Sequence, residues 1–536
     1  MKEKKFNLID EPWIIATDKF GKMRTLSLSE TIAMSHELKA LSGEMPAQDV
    51  AVLRLLLGVL YAVYTRTKEY SIARDDEDSS VVRRLWKDIW DAGKFDEEKI
   101  AAYFHTYHDR FWLIHPELPF YQVAFDSNSL PINNNGITIK PTVVDVVKFI
   151  GDIANLENLF CARSQHYGVD YPEAARWLIH LNAFDVSPGG NPGKNAKSIK
   201  GYGHPWPADI GLVWISGNTL FETLMLNLVL VPELDEEFWC ESSAWWEIDA
   251  HCTHVDDLER TNKSFPKGIV ELMSMQYRYV KLLTEHNIVT GIELWSGVRF
   301  TGGNPLVEQM TPWKRDKENN IRPHRHEISK QMWRDFSAII PYSNDMRPGV
   351  LQWVDSLMLE SRHIRVNTVG VQYKNESAVK DIYSDALMLN ANLLSKLSDG
   401  WVIRITRVLE ITEKMAIQLG ILAYDLAKAS GENSKGNKSA NASKNRVIEE
   451  AYFRLDMPFR SWLVDINPQT DDIEVLALSW ISTARKIVLS LGEEIVSQAG
   501  VKAFVGREVG KDNKKVRCTA PEAYSKFRRI VQSLKE

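Results

Sequence analysis

The chain has 536 residues, 44% hydrophobic and 25% charged, with a formal net charge of −6. That balance supplies enough apolar surface for two or three packed domains, and the acidic total excludes a protein that coats nucleic acid by bulk charge, so any such contact is local. Four cysteines, Cys161, Cys240, Cys252 and Cys518, form no Cys-x-x-Cys pair, which argues against a disulfide framework or a thiolate-rich metal site and fits a reducing cytoplasm.

The start, MKEKKFNLIDEPWI, is broken by Asp10, Glu11 and Pro12 and lacks the apolar core and cleavage site of an export signal. Phe6, Leu8 and Ile9 lead into Trp13, Ile14 and Ile15, and Lys19-Phe20-Gly21-Lys22 turns the chain toward Arg24-Thr25-Leu26, which predicts a hairpin. Ser27 and Ser29 offer helix caps, supported by Glu30. Val50, Leu53, Leu57 and Leu60 recur at three- and four-residue spacing across 46–64, a core-facing helix. Its most apolar stretch carries Arg54 and falls short of the roughly 20 residues a bilayer needs, so no transmembrane segment and no membrane partner are expected. Residues 75–111 read as charged and helical, with Leu85, Ile89 and Trp90 on one side; 111–123 is strand-like, and Asn133-Asn134-Asn135-Gly136 is a turn.

Residues 150–207 are the least regular and hold one short helix, 172–184, with Pro172 and Glu173 suited to its first turn. A further helix is predicted over 215–229, and 280–294 alternates like paired strands around Glu285-His286-Asn287. Leu397, Trp401, Ile405, Val408, Met415, Leu419, Leu422 and Leu426 follow a helical rhythm. The polar segment SGENSKGNKSANASKN then predicts a disordered linker near 430–446, before helical patterns at 447–463, 473–495 and 521–534. The fold class is therefore α+β: a mixed α/β N-terminal domain over 1–390, followed by a C-terminal four-helix bundle over 391–536.

No complete catalytic motif is present. The run Ser187-Pro188-Gly189-Gly190-Asn191-Pro192-Gly193-Lys194-Asn195 comes nearest to a phosphate-binding loop, but Pro188 stands where glycine is needed and Asn195 replaces the magnesium-binding hydroxyl. Cys240, His251, Cys252 and His254 cluster without a common zinc spacing, and His324-Arg325-His326 reads as a solvated basic turn. No metal, cofactor or catalytic residue is assigned. Read for DNA, the same glycine run is more telling. Residues 187–208 contain no acid, while Lys194, Lys197 and Lys200 lie among five glycines, a composition that lets backbone approach a groove and neutralises phosphates. Phe160, in a polar loop, anchors that loop to its own core or stacks on bases. A basic cluster at Lys502, Arg507, Lys511, Lys514, Lys515 and Arg517, and at Lys526, Arg528 and Arg529, is a solvated face or steers nucleic acid.

FNLIDEPWI resembles the opening of the CasA family, the large subunits of type I-E CRISPR surveillance complexes (Cascade), and FWLIHPELPFYQ over 111–122 resembles a second segment of that family. ENLF at 157–160, EAARWLIHLNAFD, the glycine-rich run after it and TPWKRD from Thr311 follow in the family's order. The resemblance implies a non-enzymatic subunit that recognises the protospacer-adjacent motif (PAM) in double-stranded target DNA and helps open the duplex for crRNA pairing, an R-loop. It also implies assembly with other Cascade subunits and a docking surface for a helicase-nuclease. Protein then reads the short motif and RNA reads the sequence.

Carried over by position, Phe160, Cys161 and Ala162 match a loop that meets the PAM and the crRNA 5′ end, and Gly189, Gly190, Asn191 and Gly193, followed by Lys194, match a glycine loop in the PAM minor groove. Readout there is degenerate, so several motifs would be tolerated. Asn375 and Glu376 fall at the family's strand-separating wedge, where better-known members have Gln in place of Glu376. The family's minor-groove lysine finger aligns near Asn304, with Arg299 the nearest basic residue. Two rival readings remain: a metal-dependent nucleic-acid-processing enzyme using Cys240, His251 and His254, and a scaffold without DNA contact.

Overall fold

The computed structural model describes residues 4–75, 79–124, 138–139, 141–146, 168–185, 196–197, 203–231, 242–248, 262–327, 330–341, 346–357, 362–374, 378–395, 398–431, 438–509 and 516–534. They mix helices with small sheets. By contact the chain divides into one unit of residues 1–330, 343–358 and 365–386 and a second of 331–342, 359–364 and 387–536.

In the first unit, β1 (Lys5–Asn7) precedes the hairpin β2 (Ile14–Asp18) and β3 (Met23–Leu26), paired Ile14 to Leu26 and Ala16 to Arg24. Asp18 closes the turn, its carboxylate accepting from the backbone N–H of Phe20 (2.9 Å) and Lys22 (3.0 Å), the local bonding for which Asp suits turns. β4 (Leu38–Leu41) adds to β2.

Helix α1 (Pro46–Tyr64) starts on Pro46 and is buried on every side from Ala47 onward. It has the length and hydropathy of a bilayer-spanning helix, yet nearly all of that window is covered by protein, as in a core helix. Its one cation, Arg54, is also buried, and makes a bidentate pair with Glu308 at 3.0 and 2.9 Å. Trp206 donates to the same carboxylate at 3.0 Å. Removal of either charge would strand the other, a cost of about 3–5 kcal/mol.

The charged segment expected over 75–111 is interrupted by Gly93-Lys94-Phe95 into α2 (Ser79–Ala92) and α3 (Glu97–Tyr107). The buried side of α2 is Val82 and Trp86, with Trp86 stacked on Trp90; Leu85 and Ile89 flank that side. β5 (Trp112–Ile114) pairs with β1.

β6 (Thr142–Asp145) is followed by α4 (Tyr171–Phe184). The helix expected over 215–229 is instead β7 (Leu212–Ser216), a turn, and α5 (Leu220–Asn227), capped by Thr219. Val213 and Ile215 are branched and buried, as strand positions favour, and β7 finds a partner in β10 below. β8 (Arg278–Glu285) and β9 (Ile288–Gly297) form the predicted hairpin, extended by β6 along β9. His286 and Asn287 take positive φ at its two-residue turn, the twist that suits a tight hairpin. β10 (His363–Lys374) and β11 (Ala378–Asn390) make a long hairpin, with β10 paired to β7.

The second unit is mostly helical: α6 (Asp399–Ser430), α7 (Lys438–Val464), α8 (Ile473–Ser497) and α9 (Ala520–Ser533), with α6 packed on each of the others. Its core stacks Trp333 on Phe459, sets Phe459 edge-on to Trp480, and satisfies the Trp480 indole on Thr412 at 2.9 Å. Part of the expected disordered linker is ordered: residues 438–445 form the first turns of α7 and Ala440 is fully buried. SANASK carries two alanines, the strongest helix former, so local propensity and the burial of Ala440 outweigh the polar composition. Residues 432–437 lie outside the described residues.

Asp49, in the first turn of α1, accepts from Gly43 N–H at 2.7 Å. Burial pushes its carboxyl up to about 6, opposed by that hydrogen bond and assisted by the charge of Glu44. The folded chain thus holds this proton more tightly than the unfolded one. The associated stability is fully present below about pH 4 and is lost as pH rises through about 6. Asp49→Asn keeps the acceptor and cannot ionise. It is expected to raise the thermal midpoint at pH 7.5 by about 3 °C and to leave it unchanged at pH 4, as read by calorimetry at the two pH values.

Candidate nucleic-acid interface

The residues singled out for DNA contact, Phe160, Cys161, Ala162, Gly189, Gly190, Asn191, Gly193, Lys194, Asn375 and Glu376, lie outside the described residues, as do Cys240, His251, Cys252 and His254. Their immediate anchors are described, and these converge.

Helix α4 begins on Asp170, whose side chain accepts from Glu173 N–H at 2.8 Å, with Pro172 in the first turn, and is buried from Ala174 to Phe184. The chain leaves it at Asp185 in extended conformation toward the glycine and lysine run, of which Ala196–Lys197 pair in parallel with Thr138–Ile139, and is described continuously again from Gly203. Both ends are held by Arg278 of β8, whose side chain has no solvent exposure. Its Nε donates to Asp185 Oδ2 at 2.8 Å and its Nη2 to the Gly203 carbonyl at 2.8 Å. The Arg278 backbone N–H donates to Asn182 Oδ1 in the last turn of α4 at 3.0 Å. A fork of donors on a rigid plane can reach a carboxylate and a carbonyl together, which a lysine cannot. Gly203 has φ +73°, a left-handed conformation that side chains disfavour.

Tyr373 of β10, two residues before the hairpin turn, completes the arrangement. Its hydroxyl donates to the Phe184 carbonyl at 2.8 Å, and its ring lies on His204 with centroids 3.8 Å apart at 18°. Burial raises the phenol well above its ordinary pKa, so it stays a donor. His204 Nδ1 donates to the Asp185 carbonyl at 3.4 Å.

Gly203, His204 and Tyr373 border a cleft of about 690 Å³, lined also by Asp209, Arg299, Arg325, His326, Glu327 and the edge of β10 from Gly370. Arg325 donates to the Asp209 carboxylate (2.7 Å) and carbonyl (2.8 Å). Burial raises the Asp209 carboxyl, against the opposing pull of Arg325, His204, Arg278 and Arg299. Arg299 is exposed and has no ion-paired carboxylate among the described residues. Asn304, where the family's lysine finger aligns, instead caps a short turn by accepting from Leu306 N–H at 3.0 Å.

The basic turn 324–326 is not uniformly solvated. Arg325 is exposed, but His326 is half-buried, within 3.4 Å of the Leu212 carbonyl, and pushed down to about 4 chiefly by loss of solvation. His204 is lowered as well, burial being the main cause. Among the described residues no group of three or more His, Cys, Asp or Glu side chains is placed to hold a metal. Sequence reasoning missed Arg278, Tyr373, His204 and Asp209. For Arg278 the available signal was a cation heading a largely apolar strand, Arg-Tyr-Val-Lys-Leu-Leu, a position that calls for a buried partner.

Fold and cleft define an α+β protein with a guanidinium-bearing cleft at the base of a glycine- and lysine-rich run. The chain matches the model of the CRISPR-associated protein Cse1 family over residues 7–491 and belongs to that family. The CRISPR-associated protein CasA/Cse1 of Thermus thermophilus is 29% identical over 462 residues, 81% of this chain and 80% of that protein. The crystal structure of Thermobifida fusca Cse1 superposes with a TM-score of 0.80 at 27% identity, covering 99% of this chain and 98% of that one. A chain from a CRISPR RNA-guided surveillance complex shares the fold, with a TM-score of 0.71 at 18% identity, covering 99% of this chain and 100% of that one.

Loss of the Arg278 fork is expected to free the ends of the run. Relative to the unaltered chain, Arg278→Lys should speed trypsin cleavage at Lys194, Lys197 and Lys200 by about tenfold, the factor that 1.4 kcal/mol of local stability provides. Timed digests resolved by mass spectrometry check this.

Proposed function

We propose that this Cse1-family chain is the large, non-enzymatic subunit of a cytoplasmic type I-E surveillance complex, built with crRNA and other Cascade subunits, that reads the PAM of duplex DNA and begins its opening. In this reading Gly189, Gly190, Asn191 and Gly193 bring backbone into the minor groove, while Lys194 and Arg299 neutralise phosphates. Phe160, Cys161 and Ala162 lie toward DNA and the crRNA end. Asn375 and Glu376 are the wedge, with Glu376 repelled by phosphate. Helices α6 to α9 are the four-helix bundle, and a helicase-nuclease docks once the R-loop has formed.

One observation carries most of this reading: both ends of the glycine and lysine run and the stem of the long hairpin meet at the cleft that holds Arg299 and Arg325. A chain of net charge −6 can bind DNA only where cations are gathered locally, and here they adjoin the run with no acid from 187 to 208. Membership of the Cse1 family and the likeness to a chain of a surveillance complex supply the context.

In the reconstituted complex, Gly189→Asp and Lys194→Ala should each weaken binding of a PAM-bearing duplex by about tenfold or more and leave binding of a PAM-scrambled duplex little changed. Unaltered affinity for the PAM duplex would remove the loop from the interface. Arg299→Ala should weaken binding to all duplexes alike and reduce the slope of log affinity against log salt by about 1, measured by a salt titration.

A further inference from the structure

Two consecutive carbonyls end helix α4, Phe184 and Asp185, and both are taken by side chains that are themselves stacked: the Tyr373 hydroxyl on Phe184 and the His204 ring on Asp185. The last carbonyls of a helix have no partner within it, so this pair satisfies groups that would otherwise be left open. Tyr373 belongs to the hairpin and His204 to the returning end of the glycine and lysine run. Arg278 closes the arrangement from the sheet, through the Asp185 carboxylate and the Gly203 carbonyl next to His204. The end of β10 therefore cannot shift against the feet of the run without breaking the Tyr373 hydrogen bond or the ring stack.

Resting on the function proposed above, we infer that Tyr373 and His204 are positioning residues that transmit engagement of the glycine run by the PAM to the hairpin. Motif recognition and strand separation are then coupled in equilibrium and in rate. Neither residue has to touch DNA. The hydroxyl of Tyr373 is spent on Phe184, and its ring on His204. Coupling of this kind between two sites amounts to about 5–150-fold.

The test uses the reconstituted complex with Tyr373→Phe, which keeps the ring and removes only the hydroxyl, and with His204→Ala, which removes the stack from the other side. Affinity is measured on a short PAM duplex whose strands are cross-linked. Opening is followed by 2-aminopurine fluorescence beside the PAM in an ordinary target. Both variants are expected to keep PAM-duplex affinity within about twofold and to open the target about tenfold more slowly. A target already mismatched beside the PAM should restore the normal rate of R-loop completion. Normal opening by both variants, or a loss of PAM affinity as large as the loss of opening rate, overturns the inference. If Gly189→Asp leaves PAM binding intact, the underlying function fails instead. If Gly189→Asp abolishes binding while Tyr373→Phe opens DNA normally, only the coupling fails.

Discussion

A guanidinium with no access to solvent has to find its acceptors inside the protein, and Arg278 finds them at the two ends of the run between Asp185 and Gly203. That requirement organises the surrounding structure. It fixes where α4 stops and holds Gly203 in a left-handed conformation that few other residues would adopt. It also brings His204 to the place where it meets Tyr373. Between those ends the described residues Ala196–Lys197 of the run pair in parallel with Thr138–Ile139. Tying down its ends limits what it can reach and removes the entropy of bringing them together.

Charge placement follows the same logic at a larger scale. The chain is acidic overall, and several cations sit where ordinary patterning would forbid them: Arg54 within the apolar α1 and Arg278 at the head of β8. Each is held by a carboxylate, the buried Glu308 or the partly buried Asp185. Arg299 and Arg325 differ in reaching the open cleft. The two imidazoles there, His204 and His326, are shifted toward the neutral form by burial. The cations of the cleft are therefore its guanidinium groups, which share its lining with the carboxylates of Asp209 and Glu327.

Much of the fold was legible because periodicity follows burial. The core helix α1, the β2–β3 and β8–β9 hairpins and the long C-terminal helices all announced themselves by spacing and turn residues. Two segments misled for physical reasons. The helix expected over 215–229 runs across Gly217-Asn218-Thr219, which is a turn, and pairing with β10 draws Val213 and Ile215 into a strand before it. Residues 438–445 have a linker's composition, but their alanines join a helix once Ala440 has a surface to cover. For the candidate site, glycine and lysine composition and family resemblance pointed to loops that lie outside the described residues. The residues that hold those loops in place, Arg278, Tyr373 and His204, are spread over more than 150 positions of sequence and are brought together by tertiary packing, which no local pattern encodes.

The anchoring of that run leans on the main chain as much as on side chains. Tyr373, His204 and Arg278 grip the carbonyls of Phe184, Asp185 and Gly203, and only the Asp185 carboxylate and the conformation of Gly203 demand a particular amino acid. Between these points the described residues Ala196–Lys197 pair with Thr138–Ile139 through the main chain, which again asks for no particular side chain. Such a frame behaves as a cassette: substitution could rewrite intervening side chains while inheriting the same socket unchanged.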